Sequence, residues 1–350
     1  MTTGRVRREL MRAGIFSLTA LMLWAVNAPA RADDVADFYK GKTVNIYIGY
    51  PVGGTYDLYG RLAARHLGQH IPGHPNVVAQ NMPGAGSVKA GNFMYAVAPK
   101  DGTALAVIAD TAATEQLLGD PGIQFVTAKF NWIGRISSSL NVLAVRAGAK
   151  AKTAQDFFKD QTIVGGTGPT APSVAYPRVL NALLDTKFKV VTGYVGSSDS
   201  CLAVERGEID GCTPGWVMVK SIKQNWLKDK SVNVLLQWSN ERHPDLPNTP
   251  TMVELGKTAQ DKAVIALYAS ATDLGRALLA PPNVPEARVK ALRTAFMDMI
   301  KDKDFIADLN KAHMDLDPLS GEALQKLIEK VSDVKPDVLE KARAIRAQNK

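Results

Sequence analysis

The chain has 350 residues, 42 Lys and Arg against 34 Asp and Glu, a formal charge of +8 and two cysteines. At 46% hydrophobic and 22% charged, it excludes a disordered or coiled-coil protein, and its length suits about two domains with sizeable cores. The positive balance by itself admits nucleic acid or an anionic surface as partner.

The N-terminal segment changes that reading. Arg5, Arg7, Arg8 and Arg12 precede an apolar run from Gly14 to Val26, and Ala28-Pro29-Ala30 and Ala30-Arg31-Ala32 both carry the A-x-A pattern of a signal-peptidase site. The run falls short of the roughly 20 apolar residues that cross a bilayer. Residues 1–32 therefore read as a cleavable export signal, leaving a periplasmic mature chain from Asp33. The signal holds five Arg and one Glu, so it removes four of the eight positive charges. The remainder is dispersed and lacks a basic stripe interleaved with aromatics, which excludes a nucleic-acid partner.

After Asp33 the pattern alternates strand and helix. Strands are expected at Thr43 to Ile48, Val77 to Gln80 and Thr103 to Ala109, with helices over Asp57 to His70 and from the Ser87 cap to about Val97. That is a βαβαβ unit of parallel strands. A second unit has strands at Asn141 to Val145, Thr162 to Gly165, Phe188 to Thr192, Ile209 to Cys212 and Val232 to Gln237. Its helices are expected over Ala154 to Phe158, Pro177 to Leu184 and Asp199 to Arg206. The Pro-rich stretch Pro244 to Pro250 reads as a crossing segment, and the helical tail after Pro285 pads the first lobe. The expected fold is thus α/β with two lobes, each a mostly parallel sheet flanked by helices, and a ligand cleft between them. Lobe 1 spans 33–135 and 245–350, and lobe 2 spans 136–244.

Export places Cys201 and Cys212 in an oxidising compartment. Cys201 falls near the start of a helix and Cys212 at the end of the next strand, and a crossover brings both to one sheet edge. The geometry permits a disulfide, and two buried thiols are the alternative.

Two loops each follow a strand and open a helix: Gly49-Tyr50-Pro51-Val52-Gly53-Gly54-Thr55-Tyr56-Asp57 and Asn81-Met82-Pro83-Gly84-Ala85-Gly86-Ser87. Glycines let backbone N–H groups approach a ligand, and helix starts carry partial positive charge, so such loops suit a carboxylate or phosphate. Tight turns without a ligand are the alternative. The second lobe offers Gly165-Gly166-Thr167-Gly168-Pro169-Thr170-Ala171-Pro172-Ser173, which has hydroxyls but neither a Walker Lys nor G-x-G-x-x-G spacing. Tyr194 to Asp199 forms a further loop, read mainly as a helix cap by Ser198 or Asp199, with lining of the same cleft as the alternative.

His66, His70 and His74 are spaced by four, but no Glu completes an H-E-x-x-H set and Pro72-Gly73 breaks the helix, so no metal is assigned. With no G-x-S-x-G or C-x-x-C motif, no catalytic set and no cofactor are assigned either.

The segments G-Y-P-V-G-G-T-Y-D, N-M-P-G-A-G-S and A-P-K-D-G-T resemble the substrate-binding proteins of tripartite tricarboxylate transporters, the Bug or TctC-like receptors. Gly193-Tyr194, Glu205 to Gly211 and Pro281 to Pro285 extend the resemblance in order along the chain. It implies a periplasmic receptor that closes on an organic acid and delivers it to membrane permease subunits. It also implies ligand contacts at Tyr50, Gly53, Gly54 and Asp57, at Gly84, Ala85 and Gly86, and at Gly166, Thr167 and Ser173. Val52 and Tyr56 depart from the common pattern, and Tyr56 is read as a ligand contact that alters selectivity. Di- or tricarboxylates are the expected ligands, aromatic acids the next, and a monomer the expected state. A ligand-presenting partner of a membrane sensor and a secreted α/β enzyme are the competing functions.

Overall fold

Alternation along β1 (Thr43–Ile48) sends Val44, Ile46 and Ile48 to one face of a sheet and Tyr47 to the other. The computed structural model describes residues 32–169, 171–331 and 334–348, so the expected export signal lies outside the described residues except for Ala32, as does Thr170. Ala32 opens the first helix, α1 (Ala32–Tyr39). After β1 come α2 (Thr55–His66), β2 (Asn76–Asn81), α3 (Val88–Ala96), β3 (Ala104–Val107), α4 (Ala112–Leu117) and β4 (Asn131–Arg135). The chain then enters a second sheet. Its elements are β5 (Val142–Arg146), β6 (Thr162–Gly166), α5 (Pro172–Leu184), β7 (Phe188–Thr192), α6 (Ser197–Glu205), β8 (Gly211–Cys212), α7 (Trp216–Ser221), α8 (Gln224–Lys228) and β9 (Val232–Gln237). It closes with α9 (Ala259–Ala269), β10 (Ala277–Ala280), α10 (Glu286–Met299), α11 (Lys303–Lys311), β11 (Leu319–Ser320), α12 (Gly321–Val331) and α13 (Pro336–Gln348).

The first sheet has the order β11-β4-β10-β3-β1-β2 and the second β7-β6-β8-β5-β9. The α/β class and the two lobes are as expected, but the sheets are mixed and not mostly parallel. Among the described strands, β1–β2, β1–β3, β6–β7 and β6–β8 pair in parallel, while β10 and β11 in the first sheet and β5 in the second pair antiparallel. Of these, β5 and β10 are the strands that the chain enters on crossing between lobes, where no βαβ crossover dictates direction.

The return crossing also differs from the expectation at 240–250. Gln237 bridges Thr251, and Met252, Leu255, Val264, Ile265 and Tyr268 share a core with Leu143, Val164 and Trp238 of the second lobe. The chain re-enters the first sheet only at β10. Helix α13 likewise sends Val338, Ala342 and Ile345 into that second-lobe core, so the tail divides between lobes. Helix α9 begins with a reciprocal cap, in which Thr258 and Asp261 exchange hydrogen bonds of 3.0 Å.

Cys201 and Cys212 are joined by a disulfide across a Cα–Cα distance of 5.4 Å, which pins α6 to β8. Both are fully buried among Val142, Ala144 and Val204.

Candidate functional site

The starts of three helices meet between the sheets. Gly54 and Thr55 open α2 in the first lobe, Pro172 and Ser173 open α5, and Ser197 and Ser198 open α6 in the second. All six line one cavity of about 40 Å³. Three helix N-termini bring on the order of +1.5 elementary charges of partial positive potential, at roughly +0.5 each.

The sequence folds this way because each strand end is followed by residues that admit close approach. A β-carbon on Gly196 would lie 2.5 Å from the Pro51 ring, and one on Gly215 would overlap the Thr55 side chain. Bare glycine backbone of the second lobe therefore packs directly on Pro51 and Thr55 of the first.

One wall is a stack. The Tyr50 and Tyr56 rings lie 4.4 Å apart and nearly parallel at 13°, and the Arg276 guanidinium sits 3.9 Å from the Tyr56 centroid. Tyr50 donates from its hydroxyl to the Gly86 carbonyl at 3.4 Å, and the Tyr56 oxygen accepts from the Asp110 amide at 3.1 Å. Burial pushes both phenols up, so neither ionises at neutral pH.

Arg276 is only 2% exposed, and its Nη1 reaches Asp110 Oδ2 at 3.3 Å. Burial works against its charge, yet Tyr56 and Asp110 outweigh that and hold it firmly protonated. Within the protein, Arg276 Nε and the hydroxyls of Thr55 and Thr213 are buried without a hydrogen-bond partner, and all three residues line the cavity. Buried polar groups are nearly always paired, so three orphans around one cavity leave hydrogen-bonding capacity that a polar ligand could take up.

Of the residues that sequence points to, Tyr50, Gly54, Tyr56, Thr167 and Ser173 line this cavity. Thr167 and Ser173 hold each other, with the Thr167 amide donating to Ser173 Oγ at 3.2 Å. Gly84, Ala85 and Gly86 line an adjoining cavity of about 280 Å³, which shares Tyr50 and Thr167 with the first. Their loop runs through positive φ at Gly84, Ala85, Gly86 and Ser87. Ser87 stands at the start of α3 without capping it, because its hydroxyl instead accepts from the Ala109 amide at 2.7 Å.

Gly53, Asp57 and Gly166 line neither cavity. Asp57 is a brace: it accepts from the Gly53 amide at 3.0 Å, Arg61 Nε at 2.9 Å and Asn81 Nδ2 at 2.8 Å. Gly166 leaves room for Val174, whose Cγ2 would stand 2.5 Å from a β-carbon there.

Sequence reasoning missed Arg276, Asn141, Thr213 and Gly215, and it preferred a capping role for the Ser197 and Ser198 turn over the cleft lining that the structure shows, where no side chain caps the helix. A charge inside the apolar run Leu274 to Ala280 was the available signal for Arg276.

The three histidines do not converge. His66 pairs with Asp308 at 3.0 Å, His70 with Asp302 at 3.2 Å, and His74 with the Gln69 carbonyl at 3.0 Å. His243, Asp245 and Asp315 do cluster, but Lys220 Nζ already sits 2.9 Å from Asp245 and 2.7 Å from Asp315, supplying the cation.

A family model described as the tripartite tricarboxylate transporter family receptor, TctC, matches residues 61–343. The chain belongs to that receptor family. Among solved structures, the TctC chain is similar to the periplasmic binding protein BugD (TM-score 0.69, 18% identity, covering 88% of this chain and 98% of that one). It is also similar to MatC from Rhodopseudomonas palustris with bound malate (TM-score 0.67, 20% identity, 85% and 99% covered). A third likeness is to an R. palustris protein with adipate (TM-score 0.68, 18% identity, 86% and 97% covered). At these identities the TctC chain shares their fold. No curated protein sequence matches it. Among the described residues, no helix is long and apolar enough to cross a membrane.

Proposed function

We propose that this TctC-family receptor captures a small organic carboxylate between its two lobes in the periplasm and delivers it to the membrane permease subunits of a tripartite tricarboxylate transporter. The observation that carries this reading is the meeting of three helix N-termini, drawn from both lobes, on one cavity that also holds a buried arginine. An anion there keeps its charge on backbone N–H groups and helix dipoles without needing a full salt bridge.

Because the cavity walls come from both lobes, a bound acid favours the shut arrangement over an open one, which is a hinge mechanism driven by differential affinity. The enclosed volume of about 40 Å³ corresponds to about three waters, so entry requires the lobes to part. The receptor binds and releases its ligand chemically unchanged. Residues 1–32 serve as its export signal, and a single copy suffices for the site.

Malate and adipate in structures of the same fold support a carboxylate over a sugar or an amine. A thermal-shift screen of organic acids, sugars and amino acids against the chain from Asp33 tests this. Carboxylates should raise the melting temperature, by mass action on the folded state. A shift with sugars or cationic amino acids alone contradicts the carboxylate.

A further inference from the structure

A second cavity between the lobes, of about 390 Å³, shares no lining residue with the cavity of about 40 Å³ described above. Its first-lobe wall is Glu115 in α4 and Asp120 just beyond that helix. The second lobe supplies Arg178 from α5, Tyr268 from α9 and Arg346 from α13. The volume falls within the roughly 300–1,000 Å³ of small-molecule sites.

The acids in this cavity are paired, whereas the cations keep free donors. Arg346 holds both carboxylates, Glu115 at 3.2 Å and Asp120 beside it, yet its Nη1 is buried with no hydrogen-bond partner. Arg178 is half-buried, and among the described residues it has neither a hydrogen bond nor an ion pair. The Tyr268 hydroxyl also has no hydrogen-bond partner among them. A cation drawn partly out of water is normally paired, because its lost hydration otherwise goes uncompensated. Guanidinium groups donate and never accept, and a phenol adds one more donor, a set that fits an oxyanion. The rest of the wall includes Ala175, Val179 and Ile345, which belong to the apolar second-lobe core and suit a hydrocarbon body.

We propose that this cavity is a second binding site, separate from the cleft, for an organic anion whose acidic head meets Arg178 and Arg346 and whose apolar body lies against Val179 and Ile345. Protons regulate it. The titratable groups that face Glu115 are Arg346 on α13, Asp120 beyond α4, Tyr268 on α9 and Tyr176 on α5. Burial raises the Glu115 carboxyl to about 7, so acidification through that point removes a negative charge beside the anion and tightens its binding.

Isothermal titration of the chain from Asp33 with hexanoate tests this, with 1-hexanol and inorganic phosphate as controls. Hexanoate should bind at least tenfold more tightly than either control, which is about 1.4 kcal/mol. Its affinity should be roughly threefold or more higher at pH 6 than at pH 8, and Glu115→Gln should abolish that difference. Arg178→Gln should weaken hexanoate at least tenfold without moving the melting temperature of the ligand-free protein. Arg276→Gln and Thr213→Val, which alter the cleft, should leave hexanoate affinity as it is.

Hexanoate affinity that survives Arg178→Gln, or that falls only in the two cleft variants, overturns the second site and leaves the cleft reading untouched. Hexanol binding as tightly as hexanoate overturns the acidic head, and phosphate binding as tightly overturns the apolar body. Absence of hexanoate binding overturns the proposal outright.

Discussion

Gly168 of the second lobe lies so close to Gly86 of the first that a β-carbon on Gly168 would overlap the Gly86 amide nitrogen. Gly196 lies in the same way against the Pro51 ring and Gly215 against the Thr55 side chain, so the seam between the lobes closes on glycine backbone at three places. The protein is therefore seen shut, and glycine is required at the seam for reasons of space between lobes.

That relationship gives a clean probe of closure. Gly168 does not occupy the positive-φ region, so Gly168→Ala adds volume without backbone strain. Overpacking should cost the shut form about 1–3 kcal/mol, lowering ligand affinity roughly 5- to 150-fold. Titration of the variant should show that loss with an unchanged melting temperature when no ligand is present. Gly86→Ala is the poorer probe, because Gly86 has φ +64° and the substitution also strains the loop.

The disulfide should act on stability. Cys201 and Cys212 close a short loop, separated by 11 residues, that ties α6 to β8. Cys201→Ser with Cys212→Ser should cost about 2–4 kcal/mol in chemical denaturation, and reductant should produce the same loss in the parent protein. Because Ser197 and Ser198 at the start of α6 line the cavity, ligand-bound protein should recover part of it by mass action.

Glu115 predicts a pH dependence. It is 2% exposed, and burial raises its carboxyl from 4.5 to about 7 against the opposing pull of Arg346, which lies 3.2 Å away. The folded state thus holds a proton that the unfolded chain releases near its ordinary value. The resulting stabilisation is full at the acid end of this window and is lost as pH rises through about 7. Denaturation at pH 5 and pH 8 should differ by up to about 3 kcal/mol from this group, and Glu115→Gln should flatten the difference. An unchanged pH profile in that variant refutes the assignment.

Much of the first lobe is legible in the sequence because β-branched alternation in Thr43 to Ile48 and the glycine loops after the strands are local signals. The strand Ala277–Ala280 is not, since A-L-L-A holds no β-former and reads as helix until antiparallel neighbours on both sides claim it. Helix α9 did leave a trace, the Thr258 and Asp261 capping pair, which lies just past the Pro-rich stretch that draws attention first. In the site, Tyr50, Gly54, Tyr56, Thr167 and Ser173 come from loops whose composition advertises them. Arg276 and Thr213 do not, because only the closing of two lobes brings residues so far apart in the chain to one cavity. Asp57 shows the converse: a residue in the right loop whose carboxylate is spent on Gly53, Arg61 and Asn81.

The most direct measurement is calorimetric titration of the chain from Asp33 with a dicarboxylic acid and with its uncharged diamide at neutral pH. An anion held by three helix starts and a buried arginine predicts one acid bound per chain and at least a hundredfold weaker binding of the diamide. Equal binding of acid and diamide, or no binding of any carboxylate, would contradict a carboxylate receptor.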